Sequence, residues 1–247
     1  MSKRQVIRIT GEDREEFLQN LVTNDVAKLK DGLVWTALLT PQGKYLADFF
    51  LMPDGDAILL DVAEPLAKGL IQRLSLYKLR ANVGFEATDI EVACGTGETP
   101  EGAFDDPRDP SMGWRAYDGR PGEEINNDKL RVAACIPESG IELIPNDSYP
   151  LEAGFERLNG VDFKKGCYVG QEVTARMKHK TELRKGLYRV NVDGTAPVGT
   201  EIMSDSGKAA GMLFTQADGQ GIAYLRLDRA TGIMMAGDAK VSLPTDT

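Results

Sequence analysis

The sequence predicts an α+β protein that ends in an all-β module. Up to Gly95, strand-like apolar runs alternate with stripes at helical spacing. From Thr96 to Glu124 the chain is rich in Gly, Pro and Asp, a composition that favours loop over packed structure. After Thr181 the texture becomes short strand-like runs, most of them divided by Gly- or Asp-bearing turns, as in a small β-barrel or sandwich. The chain has 247 residues, 42% hydrophobic and 27% charged, enough to bury a core without a disulfide or metal staple.

Taken in order, Val6–Ile9 is a short strand, and the spacing predicts a helix from Thr10 to Lys30. Thr10 with Asp13 approximates a capping box, and Phe17, Leu18, Leu21 and Val22 form the buried stripe. A β-meander follows over Gly32–Thr40, Lys44–Met52 and Ala57–Ala63, with Pro, Gly and Asp at the joints. Glu64–Arg80 is a second helix, with Pro65 in its first turn and Leu66, Leu70, Ile71 and Leu74 on its buried face. Val83–Thr88 and Ile90–Gly95 are strands, and the loop that follows holds one more around Trp114–Tyr117. Glu124–Ser139 reads as a helix stopped by Pro137, and Tyr149–Phe163 as a short helix ending at Asn159 and Gly160. The barrel strands are Leu187–Val192, Gly199–Asp205, Ala209–Gln216, Gly221–Leu227 and Asp238–Leu243. The division expected is a body over residues 1–181 and a barrel over 182–247.

A net charge of −9 argues against a nucleic-acid binder, though not against a local basic pocket for a small anion. Cys94, Cys135 and Cys167 form no C-x-x-C pair, which suits a reducing compartment. With His179 they do not readily build a zinc or self-contained iron–sulfur site, so no resident metal is expected. No apolar run approaches the ~20 residues of a membrane span. The N-terminus has no secretory core and is too acidic for a transit peptide, so a cytoplasmic protein is expected.

The stretch Phe163–Lys180 carries the chemistry. Lys164 and Lys165 precede Cys167, and a helix beginning near Gly170 offers its N-terminal dipole; both favour a thiolate. Gly166 and Gly170 allow positive φ or a close approach, Tyr168 offers a flat face, and Gln171 and Glu172 occupy the first turn. The competing reading is a Gly-punctuated turn holding an inert buried cysteine. His179 lies more than two turns along the helix, too far for a simple Cys–His dyad. Arg176 is four residues from Glu172, the spacing of an ordinary surface pair, and Lys178, His179 and Lys180 suit a solvated helix end. Trp35 and Trp114 read as packing residues.

The string Lys165-Gly166-Cys167-Tyr168, then Gly170-Gln171-Glu172, resembles the signature of the YgfZ family of folate-binding iron–sulfur assembly proteins and of its mitochondrial counterpart. Cys135 stands where that family usually has Gly. The segment from Gly11 to Leu51 is similar to the wider superfamily that includes the aminomethyltransferase (T-protein) of the glycine cleavage system. The resemblance implies two α+β lobes and a C-terminal β-barrel around a folate-sized central cavity. It implies a bacterial cytoplasmic factor that binds tetrahydrofolate and assembles or repairs iron–sulfur proteins, with those clients or assembly proteins as partners and neither nucleic acid nor membrane. Cys167, Lys165 and Asp48 are then the residues of chemistry, and Gly166, Tyr168, Gly170, Gln171, Glu172 and Arg176 the motif and binding residues. A single thiolate does not hold a cluster that needs about four ligands, so Cys167 is expected to share or pass on its cargo. The alternatives are a folate-dependent aminomethyl- or methyltransferase and a non-catalytic docking module. For the transferase, the superfamily's paired acids are represented by Ala47 and Asp48, and no counterpart of its later Gly- and Glu-containing folate motif is found.

Overall fold

A computed structural model describes residues 3–180 and 183–244. The N-terminal lobe runs β1 (Arg4–Thr10), α1 (Arg14–Gln19), a 3-10 turn (Val26–Asp31), β2 (Val34–Leu39), β3 (Tyr45–Asp54), β4 (Ala57–Ala63), α2 (Glu64–Lys78) and β5 (Gly84–Ala87). The strands form one antiparallel sheet in the order β2-β3-β4-β1-β5. β2 and β4 are buried at every position, as strands covered on both faces must be. From Ala47 onward the period of two along β3 separates those faces, and a register shift at Leu46 carries Tyr45 to the face of Phe50. Ala47, Phe49 and Leu51 pack with Phe17, Leu18, Leu70 and Leu74 of the helices. Tyr45, Phe50 and Met52 pack with Ile136, Phe155 and Leu158 of the second lobe. Asp48 has the parity of Phe50, so it faces the second lobe.

The expected helix over Thr10–Lys30 is corrected to one of six residues. Thr23 and Asn24 are drawn to β2: the Thr23 amide donates to the Ala37 carbonyl, and the Asn24 amide donates to Thr36 Oγ1. Asp13 precedes α1 without capping it, because its carboxylate accepts the Asn82 amide instead.

The second lobe holds β6 (Ala93–Gly95), β7 (Phe104–Asp105) and β8 (Trp114–Ala116), a small antiparallel sheet with β8 in the middle. α3 (Asn127–Ala134) is capped by the Asn126 side chain and ends at Cys135, which adopts left-handed φ of 50° before Pro137 is reached. Residues 149–163 are hydrogen-bonded turns rather than the expected helix, since Gly154 and Asn159 take φ of +79° and +56°. α4 (Gln171–Lys180) follows the motif. The closed barrel comprises β9 (Lys185–Asp193), β10 (Thr200–Met203), β11 (Ala209–Ala217), β12 (Gln220–Arg226), β13 (Met234–Ala236) and β14 (Ala239–Ser242), in the order β10-β11-β12-β9-β14-β13. The short β13 escaped sequence reading; its pairing with β10 closes the barrel over Val190, Ile202, Leu213, Leu225 and Val241. The expected boundary at residues 181–182 lies outside the described residues. No helix among the described residues is long and apolar enough to cross a membrane.

Candidate functional site

The motif forms a loop whose residues divide into those that anchor it and those left outside. Lys165 is buried, and its ammonium donates to three backbone carbonyls at and just past the end of α1: Gln19 at 2.7 Å, Val22 at 2.5 Å and Asn24 at 3.0 Å. Burial pulls its pKa down to about 8, against the opposing charges of Asp25 and Asp162. Tyr168 packs into the core cluster shared by Trp35, Leu39 and Tyr45. Gly170, at φ +84°, lies so close to the β2–β3 turn that a Cβ would stand 2.6 Å from the Thr40 carbonyl oxygen. Across the loop, Gln171 Nε2 donates to the Gly166 carbonyl at 3.3 Å, and its amide donates to the Tyr168 carbonyl at 3.2 Å. Gly166 and Cys167 are exposed between these anchors, so the thiol is presented to solvent on a braced loop. Lys165 therefore positions the loop by bonding backbone. Glu172 and Arg176 form an exposed pair at 2.8 Å on α4.

Asp48 is set apart from this loop. It is only 5% exposed, and its carboxylate accepts Trp35 Nε1 at 2.9 Å, the Tyr45 hydroxyl at 2.8 Å and the Ser139 hydroxyl at 2.5 Å. Burial and then the Asp48 charge push the Tyr45 hydroxyl well above its ordinary pKa. Behind it lies a buried ion network that sequence reading missed. Asp61 joins Arg4, Arg115 and Tyr117; Asp106 joins Arg108 and Arg115; Arg115 lies 4.0 Å from the Phe50 ring centre. The cleft where Asp48 meets these arginines has a volume of about 20 Å³. Small-molecule sites occupy roughly 300–1,000 Å³, so this cleft does not fit a pterin.

A cavity of about 540 Å³ opens where the segment 142–153 meets barrel strands β9, β11 and β12. Tyr149, Leu187, Met212 and Phe214 supply apolar walls. Glu152 lines it with one oxygen, Oε2, accepting the Tyr224 hydroxyl at 2.6 Å; burial and this carboxylate raise the tyrosine's pKa. Oε1 makes no hydrogen bond among the described residues. Lys44, from the end of the β2–β3 turn, stands over the Tyr149 ring at 5.6 Å, and Lys185 lines the same space. None of these six polar or aromatic residues was singled out from sequence. The available signal was Glu152-Ala153-Gly154, a Glu- and Gly-containing run that helical spacing had absorbed. Cys167 lines neither this cavity nor the Asp48 cleft. Tyr168 is the physical link, since it shares a core cluster with the Trp35 and Tyr45 that hold Asp48.

Two antiparallel lobes and a closed barrel define a T-protein-like fold. A crystal structure of the glycine cleavage system aminomethyltransferase T from Bartonella henselae matches with a TM-score of 0.76 over 98% of this chain and 83% of that one, at 13% identity, a likeness of fold. Residues 184–246 match the C-terminal β-barrel domain of CAF17. The chain is also similar to the mitochondrial iron–sulfur cluster assembly factor IBA57 of Mus musculus, with 29% identity over 93% of this chain and 77% of that protein. The human IBA57 gives 28% over the same shares, and the Pyricularia oryzae homolog 26% over 98% and 75%. The resemblance drawn from the motif thus holds at the level of homologous iron–sulfur assembly factors on an aminomethyltransferase fold; these named relatives are IBA57 proteins rather than YgfZ proteins. The bacterial cytoplasmic assignment is corrected, because the relatives are mitochondrial.

Proposed function

We propose that this protein is an iron–sulfur cluster assembly or repair factor of the YgfZ type that offers Cys167 to a client or assembly partner. The observation that carries the reading is the exposure of Cys167 on a loop whose neighbours Lys165, Tyr168 and Gly170 are all committed to holding it in place. A thiol so placed loses its proton to bind iron, and one thiolate leaves the remaining ligands to the partner. Among the described residues no group of His, Cys, Asp and Glu is placed to hold a metal ion by itself.

The reading includes a tetrahydrofolate seat in the 540 Å³ cavity rather than at Asp48. The donor set suits it. Glu152 Oε1 would take the amino and N–H edge of the pterin, Tyr149 and Phe214 would cover its ring, and Lys44 and Lys185 would meet the glutamate carboxylates. A reduced folate supplies a one-carbon carrier when bound. Transfer chemistry at Asp48 has less support, because both oxygens of that carboxylate are already bonded within a cleft too small for the ring.

Two measurements test this. Cys167→Ser in cells should remove the activity of dependent iron–sulfur enzymes while purified protein still binds tetrahydrofolate. Glu152→Gln should weaken tetrahydrofolate in a fluorescence titration by roughly tenfold, the loss of a charge-assisted hydrogen bond. Normal client activity with Cys167→Ser, or a purified protein that retains a tight stoichiometric cluster alone, would overturn the thiol reading. Saturable folate binding unaffected by Glu152→Gln would overturn the seat.

A further inference from the structure

α2 carries a feature that the folded chain does not use. Leu76 and Leu79 are 72% and 90% exposed, the highest values among the large hydrophobics of the described residues. Leu79 lies just past the helix at φ +47°, a conformation that a β-carbon disfavours. Lys68, Arg73, Lys78 and Arg80 occur along α2 and just past its end and form no ion pair among the described residues, although the chain as a whole carries −9. Along the helix, Leu66, Gly69, Arg73 and Leu76 follow at three- and four-residue steps and so share a face. The first three line an apolar groove of about 200 Å³, walled by Leu38, Leu46 and Pro145. At Gly69 a Cβ would meet nothing within 4 Å, so the groove floor is open there.

We infer that this face of α2 is the docking surface for an acidic amphipathic segment of a partner protein. An apolar side chain of that segment enters the groove at Gly69, and its carboxylates meet Arg73 on the same face. Charge complementarity selects this occupant, since Arg73, unpaired among the described residues at the groove and one turn from exposed Leu76, repels a basic segment and leaves an uncharged one without a partner. The groove shares β3 residue Leu46 with the β2–β3 hairpin, whose turn braces the Cys167 loop. A partner seated here is therefore joined to the thiol loop through a single hairpin.

The probe is a fluorescent helical peptide with leucines at three- and four-residue steps and glutamates on the flanks, paired with a control carrying lysines instead. By anisotropy, the acidic peptide should bind saturably, weaken with added salt, and lose roughly tenfold affinity in Arg73→Glu and in Leu76→Asp. Both positions are exposed, and thermal melts should show the variants folded. Equal binding of the lysine peptide, or no saturable binding of the acidic one, overturns the inference. So does cosedimentation with phosphatidylserine vesicles that the same variants abolish, which would make the face a lipid surface. Self-association lost in those variants would likewise overturn it, by assigning the face to a second copy of the chain.

Discussion

Lys165 and Cys167 stand two positions apart and differ in what their loss should do. The Lys165 ammonium is the donor for three carbonyls that lie more than 140 positions away in sequence. Removing it leaves buried acceptors unpaired, which costs on the order of 1–3 kcal/mol. Lys165→Met should therefore lower the unfolding free energy measured in urea by that amount, with loss of client support following from a misplaced loop. Cys167→Ser touches an exposed side chain, so its stability should stay within about 0.5 kcal/mol of the parent while client support is lost. If the lysine variant unfolds at the parental midpoint, its carbonyl contacts are not what holds the loop. Leu79 allows a gain at the same scale. Glycine tolerates φ of +47° without a Cβ clash, so Leu79→Gly should raise stability by about 1 kcal/mol in the same assay.

At the scale of elements, the motif loop and the β2–β3 hairpin interlock through two glycines. A Cβ on Gly43 would lie 2.8 Å from Val173 Cβ of α4, and one on Gly170 would lie 2.6 Å from the Thr40 oxygen. Gly170 also needs φ +84°, so Gly170→Ala should cost about 1–3 kcal/mol and speed amide exchange at Gln171 while the barrel amides stay protected. The meander and most barrel strands were legible because apolar runs and turn residues are local signals. α1 was overextended because its stripe is real, yet Thr23 and Asn24 answer to β2, which sequence spacing does not show. The turns over 149–163 kept a helical pattern of apolar residues while Gly154 and Asn159 broke the backbone. The exposure of Cys167 was open in the sequence, where a buried turn cysteine competed with a presented thiol. The bracing role of Lys165 and the cavity position of Glu152 were not legible, since each depends on partners brought together only by folding.

The whole molecule is tied together by buried charge as well as by its apolar clusters. Arg4 and Asp61 in the first sheet continue through Arg115 to Asp106 in the second lobe; separately, Arg131 of α3 holds Glu142, whose other oxygen accepts the hydroxyl of Thr215 in the barrel. Such pairs add little net stability against an apolar replacement, but removing one partner strands a buried charge at about 3–5 kcal/mol. Asp106 makes this testable by pH. Burial alone would raise its carboxyl pKa, but the charge and hydrogen bonds of Arg108, joined by Arg115, more than offset that and hold it far below the ordinary carboxylate range. Its folded pKa thus lies below the unfolded value of about 3.9. The unfolded chain then binds the proton first as pH falls, so the stabilisation is complete above that value and declines below it toward the folded pKa. Wild-type stability should accordingly drop as pH falls below about 4. Asp106→Asn should be destabilised at neutral pH and show a shallower acid decline, because the neutral amide has no proton to gain. Urea unfolding of both proteins across that range measures the difference directly, and parallel profiles would mean that the Asp106 cluster does not couple the two lobes through its charge.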